Sequence, residues 1–178
     1  MNWILAFLFL LPAGTDVPGK PSTFLLTGFV VKVTDGDTFV LLDSAHRQFR
    51  VRLNGIDAPE RGQDFYQASR QSLGNMLQKK QVSVRYRKKD RYGRLLADVY
   101  VDGNTWINFR MIANGMSWHF KKYSSDKILA DAERKARLQR LGLWQKQSPT
   151  APWDYRRLSH PSGPTRRVKA RITPGKNG

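Results

Sequence analysis

Asp35, Asp37, Asp43, Asp57 and Glu60, five of the fourteen acidic residues of a 178-residue chain, fall within the one stretch DGDTFVLLDSAHRQFRVRLNGIDAPE at 35–60. The chain around them carries 31 Lys and Arg and a formal net charge of +17. A protein that only attracted polyanions would gain by keeping carboxylates off its binding face, because each one repels phosphate. A protein that holds a cation against a phosphate gathers them in one place. Asp37, Asp57 and Glu60 offer hard oxygen ligands, which suit Ca²⁺ or Mg²⁺ and not zinc or copper. Three carboxylates are too few for a closed calcium cage, so water and substrate would complete the shell. That leaves a position where the ion can polarise a phosphoryl oxygen and acidify a water. The Asp-Gly-Asp is not an EF-hand loop, since no glutamate stands at loop position 12.

Phosphodiester hydrolysis also builds negative charge on the equatorial oxygens, which arginine clamps through paired N–H donors. Arg52, five residues before Asp57, and Arg94, beside Gly93 in a basic loop, are the candidates. Glu60 is the candidate general base for water. Tyr92, an aromatic among arginines, could stack a base.

These residues need elements to hold them. Thr38–Leu42 is rich in β-branched and aromatic residues and reads as a strand. In 47–53, Phe49, Val51 and Leu53 alternate with Gln48, Arg50 and Arg52, which predicts one face in a core and one bearing guanidinium groups. Asp43-Ser44 supplies the turn between the two strands. Asp37 then stands at the start of the first strand, with Asp57 and Glu60 in the turn closing the second. Pro59 stiffens that turn and biases Ala58 toward an extended backbone.

The rest of the chain follows the same logic. Phe24–Val33 predicts a first strand, with Phe29, Val31 and Val33 alternating. Phe65, Ala68, Leu73, Met76 and Leu77 recur at helical spacing. Val82–Tyr86 and Leu95–Val101 predict two further strands, joined by the basic loop 87–94. A second helix, capped by Asn104 or Thr105, runs through Trp106, Phe109 and Met111 to Gly115. A third spans Asp126 to Arg140, capped by Ser125, with Asp131–Lys135 and Glu133–Arg137 pairs at i,i+4. Five strands and about three helices imply an α+β fold built on a five-stranded barrel of the oligonucleotide-binding type.

Composition sets outer bounds. Such a surplus of positive charge points to nucleic acid, with anionic membrane as the competing partner. The absence of cysteine excludes disulfides, zinc thiolate sites and thiol nucleophiles. Trp3–Leu11 is an apolar run too short to span a bilayer, and it predicts a secretory leader over 1–13, hence a secreted or periplasmic protein without stable membrane insertion after cleavage. A buried N-terminal strand or helix is the alternative. Residues 14–22 read as a linker and 23–147 as the domain. Residues 148–178 read as a disordered basic tail, for from Arg156 onward there are seven Lys or Arg, three prolines and no acid. His46, His119 and His160 form no ligand spacing.

With these motifs in place, the chain resembles the staphylococcal, or micrococcal, nuclease family. The resemblance is carried by Asp35-Gly36-Asp37-Thr38, by RLNGIDAPE at 52–60, by Asp90–Arg94 leading into Leu95-Leu96-Ala97, by Asn114-Gly115 and by Leu143-Trp144. It covers about 24–144. It implies an endonuclease that uses Ca²⁺ to cut DNA and RNA, leaving 3′-phosphate and 5′-hydroxyl ends; a groove on a small barrel favours single-stranded or breathing substrate, and a monomer is expected. It places Asp37, Asp57 and the Ala58 carbonyl at the metal, Arg52, Arg94 and Glu60 in catalysis, and Tyr92, Tyr123 and Lys121 at the substrate. Lys121 departs from a family tyrosine. Taken singly, Asp-Gly-Asp-Thr is most often a turn, and a strand arginine is often only solvated. A non-catalytic nucleic-acid-binding module of the same fold is the competing function.

Overall fold

The computed structural model describes residues 23–159. The leader, the linker and the chain beyond 159 lie outside the described residues. Five strands make the barrel: β1 (Phe24–Asp35), β2 (Thr38–Leu42), β3 (Gln48–Leu53), β5 (Gln81–Lys89) and β6 (Leu95–Val101), with short strands β4 (Ile56–Asp57), β7 (Thr105–Trp106) and β8 (Trp118–His119) beside them. The order is β3-β2-β1-β5-β6, and a parallel β3–β6 pairing closes the ring. Helices α1 (Tyr66–Leu77), α2 (Ile107–Ala113), α3 (Lys127–Leu138) and α4 (Pro152–Ser159) surround it. The expected α+β barrel is therefore the fold.

β1 is long enough to pair with β5 along Phe24–Phe29 and with β2 along Phe29–Asp35. Register breaks at Val30/Lys32 and Val33/Asp35 bend it between the two partners, as bulges do where a sheet coils shut. The first break also reverses the expected alternation. Val30 and Val33 are buried, whereas Phe29 and Val31 are 54% and 44% exposed. An unbroken period of two was the wrong assumption there.

Elsewhere the periodicity holds. Phe39, Leu41, Val51, Leu53, Val82, Val84, Leu95, Ala97, Val99 and Val101 fill the barrel. Leu73 and Leu77 of α1, Ile107 and Met111 of α2 and Leu129 of α3 cap it. Phe49 is only partly buried, with the Arg47 guanidinium 5.6 Å from its ring. On α1 the buried side chains are Tyr66, Ser69, Leu73 and Leu77, so Tyr66 and Ser69 take the face expected of Phe65 and Ala68. The cap of α3 is Asp126, not Ser125: its Oδ1 accepts the N–H groups of Ile128 (2.8 Å) and Leu129 (3.2 Å). Glu133 does pair with Arg137, but Asp131 pairs with Arg134 instead of Lys135. α2 begins after Trp106 with no side-chain cap, in place of one from Asn104 or Thr105.

A second, smaller apolar cluster joins Trp118, Ala136, Leu143, Trp144 and Ala151, with Phe65 and Trp153 against it. Trp118 and Trp144 meet edge to face at 5.5 Å. This cluster draws in part of the segment expected to be disordered. Pro152 at the helix start, Asp154 in the first turn and Arg156 and Arg157 in the last are good helix-end chemistry. The high cationic charge beyond Arg156 masked that signal.

Candidate active site

Strand register builds the site. Thr38 of β2 pairs with Arg52 of β3, and Arg52 pairs on its other side with Leu96 of β6. Asp37, one residue before Thr38, is thereby brought beside Arg52. The main chain locks this corner, since the Leu53 N–H donates to the Asp37 carbonyl at 2.9 Å. Gly36 allows the β1–β2 turn to press against α1 and the 57–60 loop. A Cβ there would fall on Ser69 Oγ and come within 2.9 Å of both Ser69 Cβ and Ala58 Cβ.

Asp57 reaches the same corner from β4, which pairs with β8 through Asp57↔Trp118. The loop before it is held by Asn108 of α2, a buried side chain with no expected role. Its Oδ1 accepts the Val99 N–H (3.0 Å), and its Nδ2 donates to the carbonyls of Asn54 (2.9 Å) and Ala97 (3.0 Å). α2 thus ties β6 to the turn that presents Asp57. No sequence pattern distinguishes such an asparagine from a solvated one.

One guanidinium nitrogen joins the two aspartates. Arg52 Nη2 lies 3.0 Å from Asp37 Oδ2 and 2.7 Å from Asp57 Oδ1, while Nη1 donates to the Ile56 carbonyl at 3.1 Å. Asp37 also accepts the Thr38 hydroxyl (2.8 Å) and the Ala58 N–H (3.2 Å). Asp57 is 1% exposed, and burial pushes its carboxyl above the ordinary range. The Asp37 charge adds to this, while hydrogen bonding from Arg156 and the charges of Arg52 and Arg156 oppose it. Burial works against the Arg52 charge, but Asp37 and Asp57 outweigh it and the guanidinium holds its proton more tightly.

Glu60 is half-exposed, and its backbone is fixed by a reciprocal turn with Gln63. The Glu60 N–H donates to Gln63 Oε1 (2.7 Å), and the Gln63 N–H to the Glu60 carbonyl (2.9 Å). Its carboxylate joins the site through Arg156 of α4. Arg156 Nη2 is 2.7 Å from Asp57 Oδ2, and Nη1 contacts Glu60 Oε1. This arginine lies in the segment expected to be disordered, 99 residues from Asp57.

Arg94 stands next to Leu95, whose partner is Val51, so the closing β3–β6 pair sets it on the same end of the barrel as Arg52. Its ion pair, however, is with Asp90 at 2.7 Å. Desolvation pushes Asp90 up, but N–H donors of Arg94 and Tyr92 and the Arg94 side chain outweigh it and hold the carboxyl below its ordinary range. Tyr92 is 56% exposed beneath the guanidinium groups of Arg91 (4.9 Å) and Arg94 (5.4 Å). Tyr123 is 68% exposed and packs edge-on against Phe120. Lys121 instead pairs with the buried Glu133 at 3.3 Å. The structure thus brings Asp37, Arg52, Asp57 and Glu60 into one linked cluster, with Arg94 and Tyr92 held separately.

The donor set fits a hard divalent cation. Oxygens of Asp37 and Asp57 converge within 3.0 Å of a single cationic nitrogen, and the buried Asp57 requires counter-charge. Among the described residues no group of three or more His, Asp or Glu is arranged to hold an ion by itself, so solvent and substrate have to supply further ligands.

Residues 50–146 match the model of the staphylococcal nuclease homologue family. An uncharacterised endonuclease of Haemophilus influenzae is 41% identical over 128 residues, covering 72% of this chain and 71% of its own. A micrococcal nuclease of Shigella flexneri is 41% identical over 143 residues, covering 74% and 81% respectively. A probable staphylococcal-like nuclease of Oryza sativa is 37% identical over 111 residues, or 62% of this chain and 33% of the plant protein.

Proposed function

We propose that this chain, which belongs to the staphylococcal nuclease homologue family, is a Ca²⁺-dependent endonuclease that cuts DNA and RNA to leave 3′-phosphate and 5′-hydroxyl ends. Family membership makes it a nuclease acting on nucleic acid. The calcium requirement, the product ends, a preference for single-stranded or breathing substrate and action as a monomer are parts of the proposal. One observation carries it: Asp37, Arg52 and Asp57 meet at a single nitrogen, and Glu60 is linked to Asp57 by the next guanidinium.

Asp37, Asp57 and the Ala58 carbonyl would hold the cation, with other ligands from water and substrate. Once bound, it supplies charge for a phosphoryl oxygen and lowers the pKa of a neighbouring water. Glu60 accepts a proton from the attacking water as its oxygen bonds to phosphorus. The bond to the 5′-oxygen breaks in line, and that oxygen takes a proton from solvent and leaves as a hydroxyl. Arg52 and Arg94 donate to the equatorial oxygens, where negative charge grows. Tyr92 stacks a base of the splayed strand.

Purified protein should digest single-stranded DNA and RNA with Ca²⁺ and stop when the ion is chelated. Persistent cleavage in chelator overturns the metal assignment, and 5′-phosphate products overturn the bond assignment. The rival reading of a non-catalytic binding module draws on one observation, that Arg156 already neutralises Asp57 and Glu60. It would prevail if the protein bound DNA and cleaved none at any metal tried.

Export belongs to the same reading and is supported by the apolar run 3–11. N-terminal sequencing of protein from the culture medium tests it. No helix among the described residues is long and apolar enough to cross a membrane.

A further inference from the structure

Arg156 spends its charge where a nuclease of this design needs free carboxylate. Its Nη2 donates to Asp57 Oδ2 at 2.7 Å and its Nη1 to Glu60 Oε1, one an assigned metal ligand and the other the assigned base. A lone pair already accepting from a guanidinium is not free for a cation, and a carboxylate so engaged is a poorer proton acceptor. Arg156 and a cation bound through Asp57 Oδ2 compete for the same oxygen.

The contact is delivered by a built strap. Trp153 stacks on Phe120 with centroids 5.3 Å apart and planes within 1°. The Tyr155 hydroxyl lies over Gly62, where a Cβ would come within 2.8 Å of it. Gln63, which fixes the Glu60 turn, donates through Nε2 to the Thr150 carbonyl at 3.1 Å, and Lys146 pairs with Asp64. Loop 60–64 is thus bound along its length to 146–156. Yet α4 has only eight residues, too few to be stable alone. The Arg156 side chain is 42% exposed, against 1% for Asp57, and Leu158 is 77% exposed. Lifting such a strap withdraws Trp153 from the smaller apolar cluster and leaves the barrel core untouched.

We propose that α4 is a displaceable strap over the carboxylate centre, in which Arg156 occupies Asp57, a ligand of the divalent cation, and Glu60, the base, until the cation displaces it. This rests on the nuclease reading above. By linkage, the cation favours the lifted strap as much as the strap disfavours the cation. A strap closed about nine-tenths of the time lowers apparent affinity roughly tenfold.

The test is calorimetric titration of the full chain with Ca²⁺ alone, without nucleic acid. Arg156→Gln should bind Ca²⁺ about tenfold more tightly than the unaltered protein, while Arg156→Lys, which keeps the charge, stays near it. Trp153→Ala, which loosens the helix without touching a carboxylate, should shift affinity in the same direction. In the unaltered protein, saturating Ca²⁺ should speed amide exchange across 152–159. Equal affinities for the unaltered and Arg156→Gln proteins, or slower exchange on adding Ca²⁺, overturn the strap while leaving the nuclease intact if cleavage persists. Absence of Ca²⁺ binding by every variant, together with no cleavage, overturns both.

Discussion

Asp57 shows what a functional residue costs a small barrel. Its carboxyl is raised by burial, so the folded protein holds that proton more tightly than the unfolded chain, whose reference value is 3.8. The cost is absent well below pH 3.8, grows as pH rises from there and is complete above the folded pKa. Asp57→Asn should therefore abolish cleavage and yet raise the melting temperature at pH 7, because Arg52 and Arg156 each keep another carboxylate. The gain should shrink as pH falls toward 3.8; a constant difference at all pH values would contradict the assigned cause. Arg94 is the opposite case. It lies outside the linked cluster, so Arg94→Ala should leave stability nearly unchanged while kcat drops about 10²- to 10³-fold, the scale of losing one transition-state donor. Near-normal turnover would remove Arg94 from the mechanism.

At the scale of elements, the site is an end of a barrel closed by one parallel strand pair. β3 and β6 align Arg52 with Leu96, and α2 fastens this seam to the Asp57 turn through Asn108. Asn108→Ala strips partners from the Val99 N–H and the Asn54 carbonyl, although Ala97 still accepts from the Asn54 N–H at 2.8 Å. We expect a loss of about 1–3 kcal/mol in denaturant unfolding. Turnover should fall beyond what the unfolded fraction explains, since the Asp57 turn loses its anchor. Equal activity per folded molecule would show the asparagine to be only structural.

Across the whole molecule, a net charge of +17 coexists with an acidic corner whose Asp37 and Asp57 are buried. Lys88, Lys89 and Arg91 are exposed at the end of β5 and in the loop that follows. Binding of single-stranded DNA, measured in chelator, should weaken roughly 300-fold between about 50 and 200 mM salt if some six phosphates are engaged. Replacing Lys88 and Lys89 by Gln should flatten that slope; an unchanged slope would move the binding track elsewhere. The barrel strands, the acidic corner and Arg52 could be read from sequence because they depend on local periodicity and on neighbours within about twenty-five positions. Where a bulge reset the period, as at Val30–Lys32, the same reasoning put the wrong side chains inside. Asn108 and Arg156 were beyond it altogether. Charge and composition label Arg156 as part of a cationic tail, and only the packing of Trp153 on Phe120 brings its guanidinium to Asp57. Sequence by itself determined which groups can do the chemistry, since residue types and short spacings carry that information. Tertiary structure alone decided which of them meet and which cation holds them now, because contacts 99 residues apart depend on chain closure and packing that no local pattern encodes.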